Sequence, residues 1–80
     1  MATVIFSSEL QKFTGEAQTN GSRLTYRDLV QEILHRYEKL PSNEINRMAV
    51  AIDGEIIPDP YLEAVGPASE VHFLFRISGG

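Results

Sequence analysis

One segment of the sequence carries a full set of helix signals. Between residues 26 and 39, apolar side chains recur at helical spacing. Thr25 stands directly before this segment and Asp28 follows three residues later, which makes a capping box with Asp in place of Glu. Pro41 disfavours helical geometry at the residue before it, so the helix is predicted to end by Lys39. One helix of this length can cover one face of a small sheet, and the other segments must then supply the strands.

Short apolar runs on both sides of the helix predict strands. Residues 3–7, 48–53 and 70–79 are rich in β-branched or aromatic side chains, or alternate with a two-residue period. Residues 16–24 are predicted to hold a second strand, and residues 55–57 a short edge strand. The order is therefore β, β, α, β, short β, β. It predicts a single α+β domain in which a mixed sheet of four to five strands carries one main helix across one face.

The connecting segments carry weaker signals. Residues 8–15 are predicted to form a connector with apolar side chains available for packing. Asn20-Gly21 is a turn or bulge signal, and Asp53-Gly54 predicts a tight turn after the third strand. In the last loop, the side chains expected to be buried are Tyr61, Leu62 and Val65.

Composition restricts the class of protein. The 80 residues suffice for one domain with a small core, and 42% hydrophobic with 22% charged residues is typical of a chain that folds. Cysteine is absent, which excludes disulfides, thiolate metal sites and cysteine nucleophiles. The first residues do not resemble a targeting segment, so a cytoplasmic protein without a membrane segment is expected. A net charge of −4 with scattered basic residues argues against nucleic acid and favours a basic or electropositive protein partner.

Patterns typical of catalysis and metal binding are missing from the sequence. His35 and His72 are far apart and have no partner at metal-ligand spacing, so no metal site is predicted. Ser7-Ser8 lacks the flanking glycines of a nucleophile elbow, and Asp53-Gly54-Glu55 lacks the oxygen ligands of a calcium loop. The chain is therefore expected not to be an enzyme and to bind no cofactor of its own.

The last predicted strand runs directly into Gly79-Gly80. Two glycines in succession can thread a channel too narrow for any side chain, because glycine has no Cβ and accepts backbone angles closed to other residues. A frayed terminus is the simpler alternative. We favour a reactive terminus because no polar linker separates the glycines from the strand. The carboxylate of Gly80 can attack the α-phosphate of ATP if another protein supplies the nucleotide site.

The sequence resembles the MoaD/ThiS family of ubiquitin-like sulfur carriers over nearly its whole length. The resemblance rests on four segments: the strand and diglycine tail of residues 70–80, Val50-Ala51-Ile52-Asp53, the capped helix from Thr25, and Leu10-Gln11-Lys12-Phe13-Thr14-Gly15, which is similar to the family's Leu-Arg-x-x-x-Gly. The sequence departs from the family at three places: Gln11 in place of a common Arg, Gly66-Pro67-Ala68-Ser69 in place of an acidic turn, and Phe75-Arg76 in place of prolines.

This resemblance implies a β-grasp fold and a carrier function. It implies a partner of the E1-like adenylyltransferase type, such as MoeB or ThiF, which uses ATP and a sulfur donor to convert the terminus at Gly80 into a thiocarboxylate. Gly79 would supply the flexibility of the tail. The sulfur would then pass to a second enzyme, a sulfur-accepting synthase subunit. In that role the chain could be counted as the small subunit of a molybdopterin synthase-type complex.

The same resemblance places three strands side by side and so predicts a docking surface. The last strand turns Val71, Phe73, Phe75 and Ile77 toward the core, and its other side chains face away from the helix. Single exposed apolar side chains are ordinary, but a group of them on neighbouring strands is typical of a binding patch. The residues predicted to form it are Ile5, Ala49, Ala51, His72, Leu74 and Arg76.

More than one function is compatible with these features. Molybdopterin synthesis is favoured by the size of the chain, and thiamin and cysteine synthesis are alternatives. A ubiquitin-like modifier, whose carboxylate forms an isopeptide bond with a lysine, would use the same activated diglycine. A non-catalytic interaction domain would not use it at all.

Overall fold

The structure is a computed structural model that describes residues 1–74 of the chain. The described elements are, in chain order, β1 Ala2–Ile5, α1 Ser8–Thr14, β2 Gln18–Gly21, α2 Tyr26–Arg36, α3 Ser42–Asn46, β3 Ala49–Ile52, β4 Glu55–Ile56 and β5 Glu70–Leu74. The strands form one five-stranded sheet in the order β2-β1-β5-β3-β4. β1 and β5 are parallel, whereas the other neighbouring strands are antiparallel. The predicted mixed sheet is confirmed.

Helix α1 occupies the segment that the sequence was expected to use as a connector. Ser7 caps it, because the Ser7 Oγ accepts a hydrogen bond from the backbone N–H of Leu10 at 3.5 Å. Gly15 ends it in the left-handed conformation with φ of 71°, and its N–H bonds to the carbonyl of Gln11. The connector prediction is therefore wrong. Its apolar side chains do pack: Leu10 is fully buried and Phe13 lies against the core.

Helix α2 begins where the sequence predicts and ends earlier. The Thr25 Oγ1 accepts a hydrogen bond from the Asp28 N–H at 3.3 Å, which confirms the N-cap. The helix ends at Arg36 instead of Lys39, and Pro41 stands at the N-cap position of the short helix α3. Proline is tolerated at the start of a helix, because the backbone N–H groups there have no partner within the helix. Pro41 therefore separates two helices instead of only closing the first.

The two predicted turn signals have different outcomes. Asp53 and Gly54 have φ of 53° and 85°, as the tight turn of a two-residue hairpin requires. This turn joins β3 to β4, so the predicted turn and short edge strand are confirmed. Asn20-Gly21 lies inside β2, paired with β1 residues Thr3 and Ala2, and does not form a turn.

The core lies between the sheet and α2. Phe6, just after β1, has its ring 6.4 Å from that of Phe73 in a stacked arrangement and 5.6 Å from that of Tyr37 in an edge contact. The largest fully buried side chains are Phe73, Leu10, Leu29, Ile33, Ile45, Val4, Val65 and Val71. No helix within residues 1–74 is long and apolar enough to cross a membrane.

The loop between β4 and β5 is held by its backbone more than by its side chains. Val65 is buried as predicted, but the expectation that Tyr61 and Leu62 are buried is wrong, since both are exposed. Backbone hydrogen bonds fix this loop to the start of α2, including one from the Tyr26 N–H to the Glu63 carbonyl at 2.9 Å. With the main chain anchored in this way, the fold does not need the two side chains in the core.

Candidate docking surface

Strand β5 is the central strand of the sheet and leads the chain toward its C-terminal residues. It lies between β1 and β3, and the description of the chain stops at Leu74. Gly79 and Gly80, the predicted reactive end, lie outside the described residues. So do Arg76 of the predicted docking surface and the core candidates Phe75 and Ile77.

The described members of the predicted docking surface lie together on one sheet face. His72 is paired with Ile5 of β1 and with Ala51 of β3, so these three side chains form a row across three strands. Leu74 is paired with Ala49 in the next row. Five of the six predicted residues are thus neighbours. We call this surface, on the side opposite α2, the outer face.

Burial confirms which side of β5 belongs to the core. Val71 and Phe73 are fully buried, whereas Leu74 has 37% of its surface exposed and His72 is half-buried. Ala51 differs from the others because only 6% of it is exposed. Its methyl group is short, and the side chains paired with it on both sides are larger. Ala51 therefore lies at a depression in the outer face and offers little contact area of its own.

Two residues that sequence reasoning missed extend the row to both sheet edges. Ile56 of β4 is paired with Ala51 and is 54% exposed, and Gln18 of β2 is paired with Ile5. The row thus takes one residue from each of the five strands. A signal for Ile56 was present in the sequence, since a two-residue turn at Asp53-Gly54 fixes which residues of the hairpin face each other.

The start of β5 forms a polar end of the outer face. Glu70 is paired with Thr3, and the Nε2 of His72 lies 3.0 Å from the Oε1 of Glu70. The carboxylate of Asp53 accepts hydrogen bonds from the Glu70 N–H at 2.9 Å and from the Ser69 hydroxyl at 3.0 Å. The Ser69 Oγ also accepts a bond from the Gly66 N–H at 3.0 Å. These bonds hold the 66–69 turn, the segment that departs from the family pattern.

The opposite end of β5 is bordered by β1 and by the start of β3. Ser7, beyond β1, donates its hydroxyl to the sulfur of Met48, the residue before β3, at 3.6 Å. The Nε2 of Gln11 donates to the carbonyl of Phe6 at 3.1 Å. Gln11 stands where the family commonly has Arg, and here its amide completes the hydrogen bonding at the end of β1. The polar groups around this end are thus used within the fold.

Other possible sites are weaker. Within residues 1–74, no three His, Cys, Asp or Glu side chains are placed to hold a metal ion, and His35 is exposed on α2. An open cleft of about 900 Å³ lies on the helix side and is lined partly by Arg23, Glu32 and Arg36. Partial burial raises the pKa of Glu32, but hydrogen bonds from the N–H and hydroxyl of Ser22, with the charges of Arg36 and Arg23, outweigh it and leave the pKa below its ordinary value.

Comparisons with known proteins agree with the fold. A model of the ThiS family matches residues 4–80 of the sequence. The structure is similar to a chain in the crystal structure of the Amycolatopsis orientalis BexX/CysO complex, with a TM-score of 0.79, 18% sequence identity and coverage of 100% of both chains. A comparison with curated protein sequences gives no match. At 18% identity, the structural similarity shows a shared fold.

Proposed function

The chain belongs to the MoaD/ThiS family of small ubiquitin-like sulfur carriers, and we propose that it carries sulfur as a thiocarboxylate on Gly80 for the synthesis of molybdopterin. The observation that supports the carrier role is the family match over residues 4–80, which includes Gly79-Gly80 and does not distinguish between pathways. The β-grasp fold shared with a chain of the BexX/CysO complex supports it further.

The proposed chemistry needs only the terminal carboxylate from this chain. A partner of the E1-like type binds ATP and brings its α-phosphorus to the Gly80 carboxylate. The carboxylate attacks, pyrophosphate leaves, and an acyl adenylate forms. Hydrosulfide, delivered by a sulfur donor on the partner, then attacks the acyl carbon. The carbon–sulfur bond forms, the carbon–oxygen bond to AMP breaks, AMP leaves, and loss of the sulfur-bound proton gives the thiocarboxylate. The chain is a carrier in this scheme and not a catalyst, so ATP and the sulfur donor belong to its partner.

The outer face is proposed to dock on this activating enzyme while the tail enters the active site. Its apolar members, Ile5, Leu74 and Ile56, are surrounded by polar residues, as in the core and rim of a protein interface. The first two lie beside the end of β5, where the chain continues toward Gly80. The similar chain belongs to a crystal structure of a complex, that of BexX and CysO, which supports a role in protein association.

The pathway is the finer part of the proposal. Molybdopterin is our first choice, and synthesis of thiamin or cysteine are the alternatives within the same chemistry. In the molybdopterin pathway, the acceptor is the large subunit of a synthase, and this chain acts as its small subunit. Each pathway requires a different acceptor enzyme, so the acceptor identifies the pathway.

Mass spectrometry of the intact protein tests the carrier chemistry. We expect the protein purified together with its activating enzyme to gain the mass difference of one oxygen-to-sulfur exchange, and to lose it when the correct acceptor is added. Each candidate acceptor is tested separately with the same thiocarboxylated protein. Conjugates to lysines of other proteins, without the sulfur form, would instead identify a ubiquitin-like modifier. No mass change with an activating enzyme that is active on its own carrier would reject both.

A further inference from the structure

The basic residues of the described chain all lie outside the strands of its sheet. The chain has seven Lys and Arg residues, of which Arg76 lies outside the described residues. The other six stand on helices or loops and none stands on a strand: Lys12, Arg23, Arg27, Arg36, Lys39 and Arg47. Within residues 1–74, the ionisable residues of the five strands are Glu55, Glu70 and His72. The described part of the sheet therefore carries acidic charge and no permanent positive charge.

Glu70 is the acidic strand residue that shares the outer face with the apolar side chains of Ile5, Leu74 and Ile56. Its side chain is 60% exposed and lies on the same side of β5 as His72 and Leu74. Its backbone N–H donates to Oδ1 of Asp53 at 2.9 Å, so the Asp53 carboxylate lies beside the main chain of Glu70. The His72 imidazole engages Oε1 of Glu70, and a carboxylate accepts hydrogen bonds at both of its oxygens.

We propose that Glu70, supported by the neighbouring charge of Asp53, receives a Lys or Arg side chain of the partner that docks on the outer face, and that this contact sets the rotation of the carrier on the partner. This inference rests on the proposed function. Apolar contact is not directional, so contacts at Ile5 and Leu74 give affinity but do not select one orientation. A charge pair at one end of the face selects an orientation and disfavours the reversed one.

Orientation matters because the reactive group lies at the end of an extended segment. Glu70 and Leu74 are separated by about 13 Å along β5, at about 3.3 Å for each residue. A charge contact at Glu70 and apolar contacts at Leu74 thus hold the two ends of β5, the strand that leads to Gly80. A partner that contacts both ends of β5 binds the carrier in one orientation, and the tail then enters the active site of the partner. Glu70 is therefore a positioning residue in this proposal.

Steady-state kinetics of ATP–pyrophosphate exchange tests this role. With the cognate activating enzyme at low salt, Glu70→Gln is expected to raise the KM for the carrier by about two- to fivefold, the range of an exposed ion pair, with kcat unchanged. The difference from wild type should shrink at high salt because ions screen an exposed pair. Glu70→Asp keeps the charge and is expected to recover most of the loss.

Glu38→Gln is the matched control. It removes the same charge from an exposed position after α2, so it reports the effect of net charge alone. Equal KM values for Glu70→Gln and Glu38→Gln would overturn the proposal, as would an Asp variant that is as weak as the Gln variant. In both cases, normal exchange by the wild-type protein would leave the proposed carrier function standing. Absence of exchange with wild-type protein would instead reject the carrier function itself.

Discussion

Gly21 at the end of β2 packs directly on Leu29 of helix α2. A Cβ at position 21 would overlap the Cδ1 of Leu29, and Leu29 is fully buried. The glycine therefore serves to let the helix approach the edge of the sheet. Its φ is not in the left-handed region that would require glycine for backbone reasons.

Gly21→Ala is accordingly expected to destabilise the fold by about 1–3 kcal/mol, the usual cost of adding a methyl group to a packed site. Urea denaturation measures the change in the free energy of unfolding. The double variant with Leu29→Ala is the control, because the smaller side chain makes room for the new methyl group. The cost of Gly21→Ala should then be clearly lower in the Leu29→Ala background than in wild type. Equal costs in both backgrounds would contradict the contact.

Asp53 joins the β3–β4 turn to the start of β5. Removal of its two acceptor oxygens by Asp53→Ala leaves the Ser69 hydroxyl and the Glu70 N–H without their partner and places alanine at a positive φ. We expect a loss of about 1–3 kcal/mol in the free energy of unfolding. Asp53→Asn keeps an acceptor and tolerates the left-handed backbone, so it should lose less. Thermal melts of the three proteins compare them directly.

Leu74→Asp is expected to weaken binding to the activating enzyme while the fold remains intact. Leu74 is on the outer face and already partly exposed, but a charge without a partner inside an apolar contact commonly costs several kcal/mol. Calorimetric titration measures the affinity. Phe73→Asp is the contrasting variant, since Phe73 is buried in the core, and it should abolish the cooperative melt. Unchanged affinity of Leu74→Asp would remove this residue from the docking surface.

The carboxylate of Glu32 should make stability depend on pH in the acid range. Its pKa in the folded protein lies below the ordinary value of 4.5, so folding favours the ionised form. This contribution to stability is fully present when the pH is above the ordinary pKa of 4.5. It is lost as the pH falls through the lower pKa of the folded state. The difference in melting temperature between wild type and Glu32→Gln is thus expected to be largest near neutral pH and to shrink in acid. A difference that stays constant from neutral to acid pH would show that the charge of Glu32 is not involved.

The length of the tail should decide whether the terminus reacts. Deletion of Gly80 or addition of one alanine shifts the carboxylate by about 3.3–3.6 Å, and attack requires the reacting atoms within about 3–3.5 Å. Both variants should lose ATP–pyrophosphate exchange and keep their melting temperature and partner affinity.

Gly79→Val tests the channel, because a β-branched side chain restricts the backbone and fills the space reserved for glycine. It should also lose exchange, whereas Ser78→Ala, the matched change without an assigned chemical role, should retain most of it. Normal exchange after deletion of Gly80 would exclude the terminus as the reactive group.

The helices show how far local patterns carry. The capped helix from Thr25 was predictable because its cap and its apolar stripe are both encoded within a few residues. The signals for α1 were also local, with Ser7 at the N-cap and Gly15 after the last turn, but seven residues carry too little periodicity to establish a helix. Pro41 is compatible with the end of one helix and the start of another, and only the packed structure distinguishes the two.

The docking surface was also predictable only in part from local sequence patterns. Alternation along β5 determined from sequence which side chains oppose Val71 and Phe73, because successive side chains of a strand point to opposite faces. The row through Ile5, His72 and Ala51 depends on β5 lying between β1 and β3. The sequence of a single strand does not encode this strand order. The burial of Ala51 likewise follows from its cross-strand neighbours.

The sequence by itself determined the strand and helix periods, the tight turn at Asp53-Gly54 and the family. The tertiary structure alone decided that Gly21 packs against Leu29, that one residue from each of the five strands lines up across the outer face, and that the Asp53 carboxylate binds the start of β5. The physical reason is the separation along the chain over which each kind of interaction acts. Period and turn chemistry act between residues a few positions apart, whereas strand order and the contacts between elements arise from burial shared by segments that are distant in the chain.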